Sequence, residues 1–252
     1  MTGTKIVKLR LEGGQRSGNL PNLKDPLVEK ALRLYDLREG VSVDPTEAGF
    51  WDYHNDVTFE AEGLNVNSEQ LQKVYPSLES RHGGDPQFSI RAGLLLTALI
   101  QNSAEKEFNL IIGSPLDYVG FNLEEDKKVT INGNVGNNVC ERMFAGTVEV
   151  NGNAGNNIGN WMADGKIIVR GNVGDEACWG MKGGELIVDG NAGERTGGWL
   201  ENGRISVRGD VGSDTGFKMY SGRIEVGGIV GGISSAIKGG EIYNKGKKVW
   251  PK

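Results

Sequence analysis

The sequence predicts a mainly β fold, a right-handed single-stranded parallel β-helix of 19-residue coils with an N-terminal α+β cap. Three observations lead to this prediction. Of 252 residues, 40 are glycine, about twice the usual share, and 29 of these lie between Gly113 and Gly240. Within that stretch, a Gly-x-x-Gly tetrapeptide returns every 19 residues. Apolar residues also alternate with polar ones once in each repeat, which is typical of short half-buried strands.

Residues 1–112 precede the repeat and are predicted to form the cap. The elements expected there are a strand at 4–11, a helix at 25–40, a strand at 57–62, helices at 69–75 and 85–100, and a strand at 108–112. Asp25-Pro26 is typical of a helix start, because aspartate accepts from free N–H groups and proline fits the first helical position. Ser68 and Pro76 set the expected limits of the second helix. We expect this segment to cover the open end of the solenoid.

Residues 113–243 are predicted to form about seven coils of the solenoid, followed by a basic tail at 244–252. The tetrapeptide begins at 133, 152, 171, 190, 209 and 228, so that every step is 19 residues. Helical-hairpin repeats need about 33 residues or more, which excludes them here. Ten residues after each first glycine comes a column of large apolar residues, better explained as core than as a soft-metal site: Met143, Met162, Met181, Leu200 and Met219.

Two further columns test the solenoid prediction. Four asparagines follow the first glycine of successive repeats, Asn134, Asn153, Asn172 and Asn191, and we expect them to stack as a side-chain amide ladder that ends at Asp210.

Cys140 and Cys178 occupy a position where other coils have glycine, so both are expected to face inward. They lie two coils apart, about 9–10 Å at the spacing of stacked strands, which is too far for a disulfide. We therefore expect two free, buried thiols.

Few residues in the chain are candidates for chemistry. Only two histidines occur. Asp52, His54 and Asp56 alternate, so on a strand they would share one face and could bind a metal, but a polar turn leading into the strand at 57–62 is the favoured interpretation. His82 and Asp85 are interpreted as a loop and helix cap rather than as a base and its orienting acid. The hydrolase motif G-x-S-x-G, dinucleotide and P-loop motifs, and paired C-x-x-C are absent, so no catalytic, cofactor-binding or metal residue is assigned.

Three tryptophans, Trp161, Trp179 and Trp199, lie at nearly the same position of their coils, just before the methionine column. Two interpretations stay open at this point. The rings either pack against a neighbouring segment or form part of a protein interface.

Charge and hydropathy exclude several classes of function. Lys plus Arg total 28 against 33 Asp plus Glu, a formal net charge of −5. The chain therefore lacks the excess of basic residues that is typical of nucleic-acid-binding proteins. The sequence shows neither a run of about 18 apolar residues nor a signal-peptide core at its start. Two cysteines do not make a disulfide framework. We therefore expect a cytoplasmic protein that binds neither nucleic acid nor membrane.

The extended motif Gly-x-x-Gly-x-x-x-Gly stands at 152/155/159, 190/193/197 and 209/212/216, with Cys140 and Cys178 in place of the third glycine in two other coils. Together with Asp117-Tyr-Val-Gly120 and Phe59-Glu-Ala-Glu-Gly-Leu64, this pattern over roughly residues 57–243 resembles the GXGXG domain. That domain forms the C-terminal β-helix of the glutamate synthase large subunit, stand-alone glutamate-synthase-like subunits, and the β-helical subunit of formylmethanofuran dehydrogenase.

The resemblance implies a non-catalytic β-helix scaffold within an oxidoreductase or amidotransferase-type complex. It implies no cofactor in this chain, with flavin, iron–sulfur or molybdopterin groups on partner subunits. The implied partners are the catalytic subunits of such a complex. A homo-oligomer of this chain is a separate possibility. Two alternatives remain: a free-standing, esterase-like hydrolase, or a solitary solenoid binding module that uses the tryptophans or the edge of the last coil at 229–242.

Overall fold

The computed structural model describes residues 25–37, 42–44, 46, 48–124 and 126–251. The strand expected at 4–11 lies outside these residues. The helix expected at 25–40 ends at Tyr35 with Asp36 as its C-cap, so its predicted end at Gly40 is wrong. Four helices come first among the described residues: α1 (Pro26–Tyr35), α2 (Ala48–Ala61), α3 (Ser68–His82) and α4 (Phe88–Gln101). Nine strands follow: β1 (Glu107–Ile111), β2 (Lys128–Asn132), β3 (Thr147–Asn151), β4 (Lys166–Val169), β5 (Glu185–Val188), β6 (Arg204–Val207), β7 (Arg223–Val226), β8 (Glu241–Asn244) and β9 (Lys247–Trp250).

The strands form one sheet in sequence order, and β1 to β8 pair in parallel. From β2 to β7, successive strands align with the 19-residue step of the sequence, so that Val148, Ile167 and Leu186 stand opposite one another. Each coil thus contributes one strand to a parallel β-helix, which confirms the predicted fold class. The exception is β9, in the predicted tail, which turns back and pairs antiparallel with β8.

The interior of the solenoid consists of stacked apolar columns. The inward strand residues Val148, Ile167 and Leu186 are fully buried. The methionine column (Met143, Met162, Met181, Leu200 and Met219) is also fully buried, which confirms it as core. Because the same position is apolar in every coil, each side chain packs against its equivalents above and below, as a stacked repeat requires.

The asparagine column is formed differently from the prediction. Each side-chain oxygen accepts a hydrogen bond from a backbone N–H of the next coil, as when Asn153 accepts from the N–H of Asn172 at 2.8 Å. The predicted ladder between side-chain amides is therefore wrong for this column. Nor does the column end at Asp210, whose carboxylate accepts from the N–H of Ile229 at 2.7 Å. Since only an acceptor oxygen is needed, aspartate can replace asparagine there.

This geometry predicts that Asn172→Asp is tolerated and that Asn172→Ala is not. Alanine removes the acceptor of the Asn191 N–H, which is bonded at 2.8 Å, and we expect a loss of about 1 kcal/mol in the free energy of unfolding. Aspartate keeps the acceptor and should cost no more than about 0.5 kcal/mol. Urea unfolding of both variants measures the difference. Equal losses would show that the hydrogen bond contributes nothing.

The helical segment corrects two predictions. Residues 57–62, expected as a strand, belong largely to α2, because Phe50, Tyr53, Val57 and Ala61 recur at helical spacing and are all buried on one side. The N-cap of helix α3 is Asn67 rather than Ser68, which is the first residue of the helix, and the helix continues past Pro76 to His82. Proline is accommodated there because it lies on the exposed side, as does Gln72, whose carbonyl loses its helical partner.

Helix α4 connects the helices to the first coil. The backbone N–H of Gly120 donates to the hydroxyl of Thr97 at 2.8 Å. At Gly93, an added Cβ would lie only 1.8 Å from the carbonyl oxygen of Asp117, so the two backbones meet without room for a side chain. The buried ammonium of Lys127 donates to the carbonyl oxygens of Ser103 and Glu105 just beyond α4. These contacts place α4 against the first coil of the solenoid. Across the described residues, no helix is both long and apolar enough to cross a bilayer.

Candidate functional site

The three candidate metal ligands on α2 do not converge. Because a helix advances about 100° per residue, Asp52 and Asp56 share one side and His54 lies on the opposite one. The interpretation of this segment as a polar turn before a strand is therefore wrong, and so is a shared strand face. Among the described residues, no group of three His, Cys, Asp or Glu side chains could hold a metal ion.

His54 instead lines a cavity of about 450 Å³ between α2, α4 and the first coil. Helix α2 contributes His54 and Phe59 to its wall, and Glu62 follows the helix directly. Asn102 follows α4 directly, and Glu124 belongs to the first coil. No lysine or arginine is among the described residues that line this cavity. The sequence analysis missed it, because its walls come from three segments that are far apart in the chain.

The environment of His54 keeps its imidazole neutral. Its Nε2 lies 3.4 Å from Nδ2 of Asn122, and its Nδ1 is buried with no hydrogen-bond partner among the described residues. The ring of Phe121 meets the imidazole edge to face, with centroids 4.9 Å apart. Burial lowers the pKa of His54 to about 4, since a charged imidazolium would lose its hydration there. Among the described residues of the wall, the formal charges at neutral pH are therefore those of Glu62 and Glu124, both negative.

The lowered pKa of His54 predicts a pH-dependent stability. Between pH 6.5 and about 4, the unfolded chain binds a proton at this residue that the folded chain does not. The free energy of unfolding should therefore decline as the pH falls through this window, and His54 should account for about 2–3 kcal/mol of the decline. Urea unfolding at pH 7 and pH 4.5 measures the decline, and His54→Gln, which cannot titrate, should show a smaller one. Parallel pH curves for the two proteins would contradict the prediction.

His82 and Asp85 have structural roles, as the sequence analysis favoured. The ring of His82 stacks on Tyr35 with centroids 4.4 Å apart, and its Nε2 lies 3.7 Å from Asp36. Asp85 accepts from the hydroxyl of Tyr35 at 2.8 Å and from the backbone N–H of Gln87 at the start of α4. Both side chains hold α1 against the neighbouring helices.

The two cysteines are free and buried, as predicted. Gly159 occupies the coil between them, and a Cβ built on it would lie 3.1 Å from Sγ of Cys178. Burial raises the pKa of both thiols above its ordinary value, so neither provides the thiolate that nucleophilic or metal chemistry needs.

An aromatic flank runs along one corner of the solenoid; we define it as Trp161, Trp179, Trp199, Phe217 and Tyr220. Ring centroids are 5.8 Å apart for Trp179 and Phe217, which stack, and 5.9 Å for Trp199 and Tyr220. The ammonium of Lys218 lies 4.7 Å from the ring centroid of Trp199, within cation–π range. Ring contacts therefore link Trp179, Trp199, Phe217 and Tyr220 over three successive coils.

The aromatic flank is partly packed and partly exposed. Trp161 covers Gly180 of the next coil, where an added Cβ would come within 2.5 Å of the indole ring. Even so, 41% of Trp161 and 48% of Tyr220 remain exposed. Trp161 and Trp199 also have positive φ, at 57° and 53°, a backbone conformation that costs an ordinary residue about 1 kcal/mol or more. The rings thus pack on the adjacent coil and also present apolar area outward.

The outer face of the sheet has a different character. Arg170 forms ion pairs with Glu149 at 2.5 Å and with Asp189 at 3.2 Å, and Arg208 forms an ion pair with Asp189 at 2.7 Å. On the same face, Arg204 and Arg223 both bond Glu225. These charges are satisfied by neighbours within the chain, and exposed pairs of this kind are typical of a solvated surface. Of these two surfaces, the aromatic flank has the composition of a binding surface.

No protein-family model matches the chain, and no curated protein does either. The resemblance to the GXGXG domain therefore depends on the repeat and its motif alone.

Proposed function

We propose that this chain is a non-catalytic β-helix scaffold subunit of an oxidoreductase complex, of the glutamate-synthase-like or the formylmethanofuran-dehydrogenase-like type. The aromatic flank is the observation that carries the proposal. Trp161 and Tyr220 are exposed by 41% and 48% on a regular stack of coils, and tryptophan and tyrosine are the residues that dominate protein interfaces. The resemblance to the GXGXG domain supplies the class of complex.

The composition of the aromatic flank indicates the kind of partner surface it would contact. Lys218 lies over Trp199, and the exposed Lys182 is two coils away. A complementary partner would therefore present apolar side chains with acidic groups at the rim. Under this proposal, the partner is the catalytic subunit that carries flavin and iron–sulfur groups, or molybdopterin.

The test is a native pull-down of the whole chain, with mass spectrometry and cofactor analysis of what co-purifies. We expect a near-stoichiometric partner that carries one of these cofactors. Flavin with iron–sulfur clusters would assign the amidotransferase type, and molybdopterin the formyl-transfer type. Trp161→Ala should reduce the yield of the co-purified partner at least tenfold.

The matched control for this test is Ile111→Ala. Ile111 is an apolar residue on the sheet face that is 63% exposed, and its replacement should leave the yield of the partner unchanged. The absence of a cofactor-bearing partner would overturn the proposal. So would retention of the partner by the Trp161→Ala variant with an intact fold.

A further inference from the structure

We propose that the cavity beside His54 binds an alkyl ammonium group. This binding role is independent of the scaffold role, because it concerns a different surface and a different class of ligand. The cavity of about 450 Å³ is large enough for a small organic amine.

Several groups at the cavity wall are hydrogen-bond acceptors. The amide nitrogen of Asn102 donates to the carbonyl oxygens of Ala98 at 3.0 Å and Thr58 at 3.3 Å. Its oxygen is therefore the group left to accept a further bond. Glu62 and Glu124 add two carboxylates that have no ion-pair partner among the described residues. A ligand that donates several hydrogen bonds matches these three groups.

The charge of the wall indicates that the donor is a cation. Glu62 and Glu124 contribute two negative charges, and the neutral imidazole of His54 contributes none at pH 7. Since no lysine or arginine lines the described wall, its formal charges repel an anionic ligand and attract a cationic one. An ammonium group supplies three N–H donors together with the complementary charge.

The aromatic part of the wall fits the alkyl portion and the charge of the same ligand. Phe59 is 68% exposed at the cavity, and Phe121 lines its inner side. Aromatic faces attract ammonium groups and also pack against methylene chains. Carboxylates, an amide oxygen and two phenyl rings therefore surround one volume.

The two histidines make this proposal testable at the site itself. Because the chain contains only His54 and His82, an imidazole ¹H–¹⁵N spectrum at pH 7 reports each separately. Titration with 1,4-diaminobutane is expected to shift the His54 resonances saturably and to leave those of His82 in place. The neutral analogue 1,4-butanediol should shift neither. The absence of a saturable His54 shift, or an equal shift with the diol, would overturn the proposal.

Charge-neutral variants separate the site from general electrostatic attraction. Glu62→Gln combined with Glu124→Gln should weaken amine binding at least tenfold. The matched control combines Glu194→Gln with Glu201→Gln, two exposed carboxylates of the solenoid, and should bind as tightly as the wild type. Without amine, the His82 resonances of the Glu62→Gln/Glu124→Gln variant should match those of the wild type, which verifies its fold. Equal weakening in both double variants would contradict a specific site.

A lysine side chain carries the same ammonium group as a free amine, and a second probe distinguishes these sources. N-acetyl-lysine methylamide is titrated under the same conditions as 1,4-diaminobutane. Tighter binding of the diamine assigns the cavity to free amines, and tighter binding of the lysine derivative assigns it to a protein lysine. Either result supports ammonium recognition.

Discussion

Gly184→Ala is expected to destabilise the protein by about 2–5 kcal/mol, because it combines two separate penalties. Gly184 has φ of +83°, a conformation that costs an L-residue about 1–2 kcal/mol. In addition, its Cβ would lie 2.5 Å from the carbonyl oxygen of Gly165 and 2.4 Å from Cε of Met162. The first contact is with backbone of the preceding coil, so relieving it means separating two stacked coils.

A matched variant isolates the second penalty at Gly184. Gly246, between β8 and β9, also has positive φ, at +73°, but a Cβ there would meet no atom within 4 Å. Gly246→Ala should therefore lower the free energy of unfolding only by the penalty for positive φ, about 1–2 kcal/mol. Urea unfolding of both variants gives the comparison. Equal losses would mean that the close approach of coils at Gly184 is relieved without cost.

Met181→Ala is expected to lower the free energy of unfolding by about 2–5 kcal/mol, the usual cost of truncating a large, fully buried side chain. Met181 is completely buried in the column between Met162 and Leu200, and stacked coils leave little freedom to close the resulting cavity. Met181→Leu is the natural control, because leucine already occupies the equivalent position at 200. It should lose less than about 1.5 kcal/mol.

The measurement for Met181 is the free energy of unfolding of the two variants in urea at pH 7. A loss below about 1 kcal/mol for Met181→Ala would contradict the close packing of the column. A large loss for Met181→Leu would show instead that the column requires the shape of methionine at this coil.

The solenoid could be predicted because its determinants repeat. The spacing of the tetrapeptide sets the length of each coil, and identical positions in successive coils must stack, so that Met143 and Met162 predict the place of Met181. The two thiols follow from the same register, since Cys140 and Cys178 lie two coils apart. Each of these conclusions depends on spacing along the chain alone.

The helical segment was harder to predict because it has no repeat. Val57 to Glu62 alternates over six residues, which favours a strand, yet Phe50, Tyr53, Val57 and Ala61 form one buried helical side. A short window supports both patterns, and packing of α2 against α4 decides between them. Tertiary packing also carries α3 through Pro76, at a position where local rules predict an end.

The sequence by itself therefore determined the parallel β-helix, its register, its buried columns and its free thiols, because these depend on a period that every coil repeats. The tertiary structure alone decided that Asp52, His54 and Asp56 do not share a face. It also brought His54, Asn102 and Glu124 around one cavity. The order of residues along the chain does not contain that proximity, since it arises only when α2 and α4 pack on the first coil.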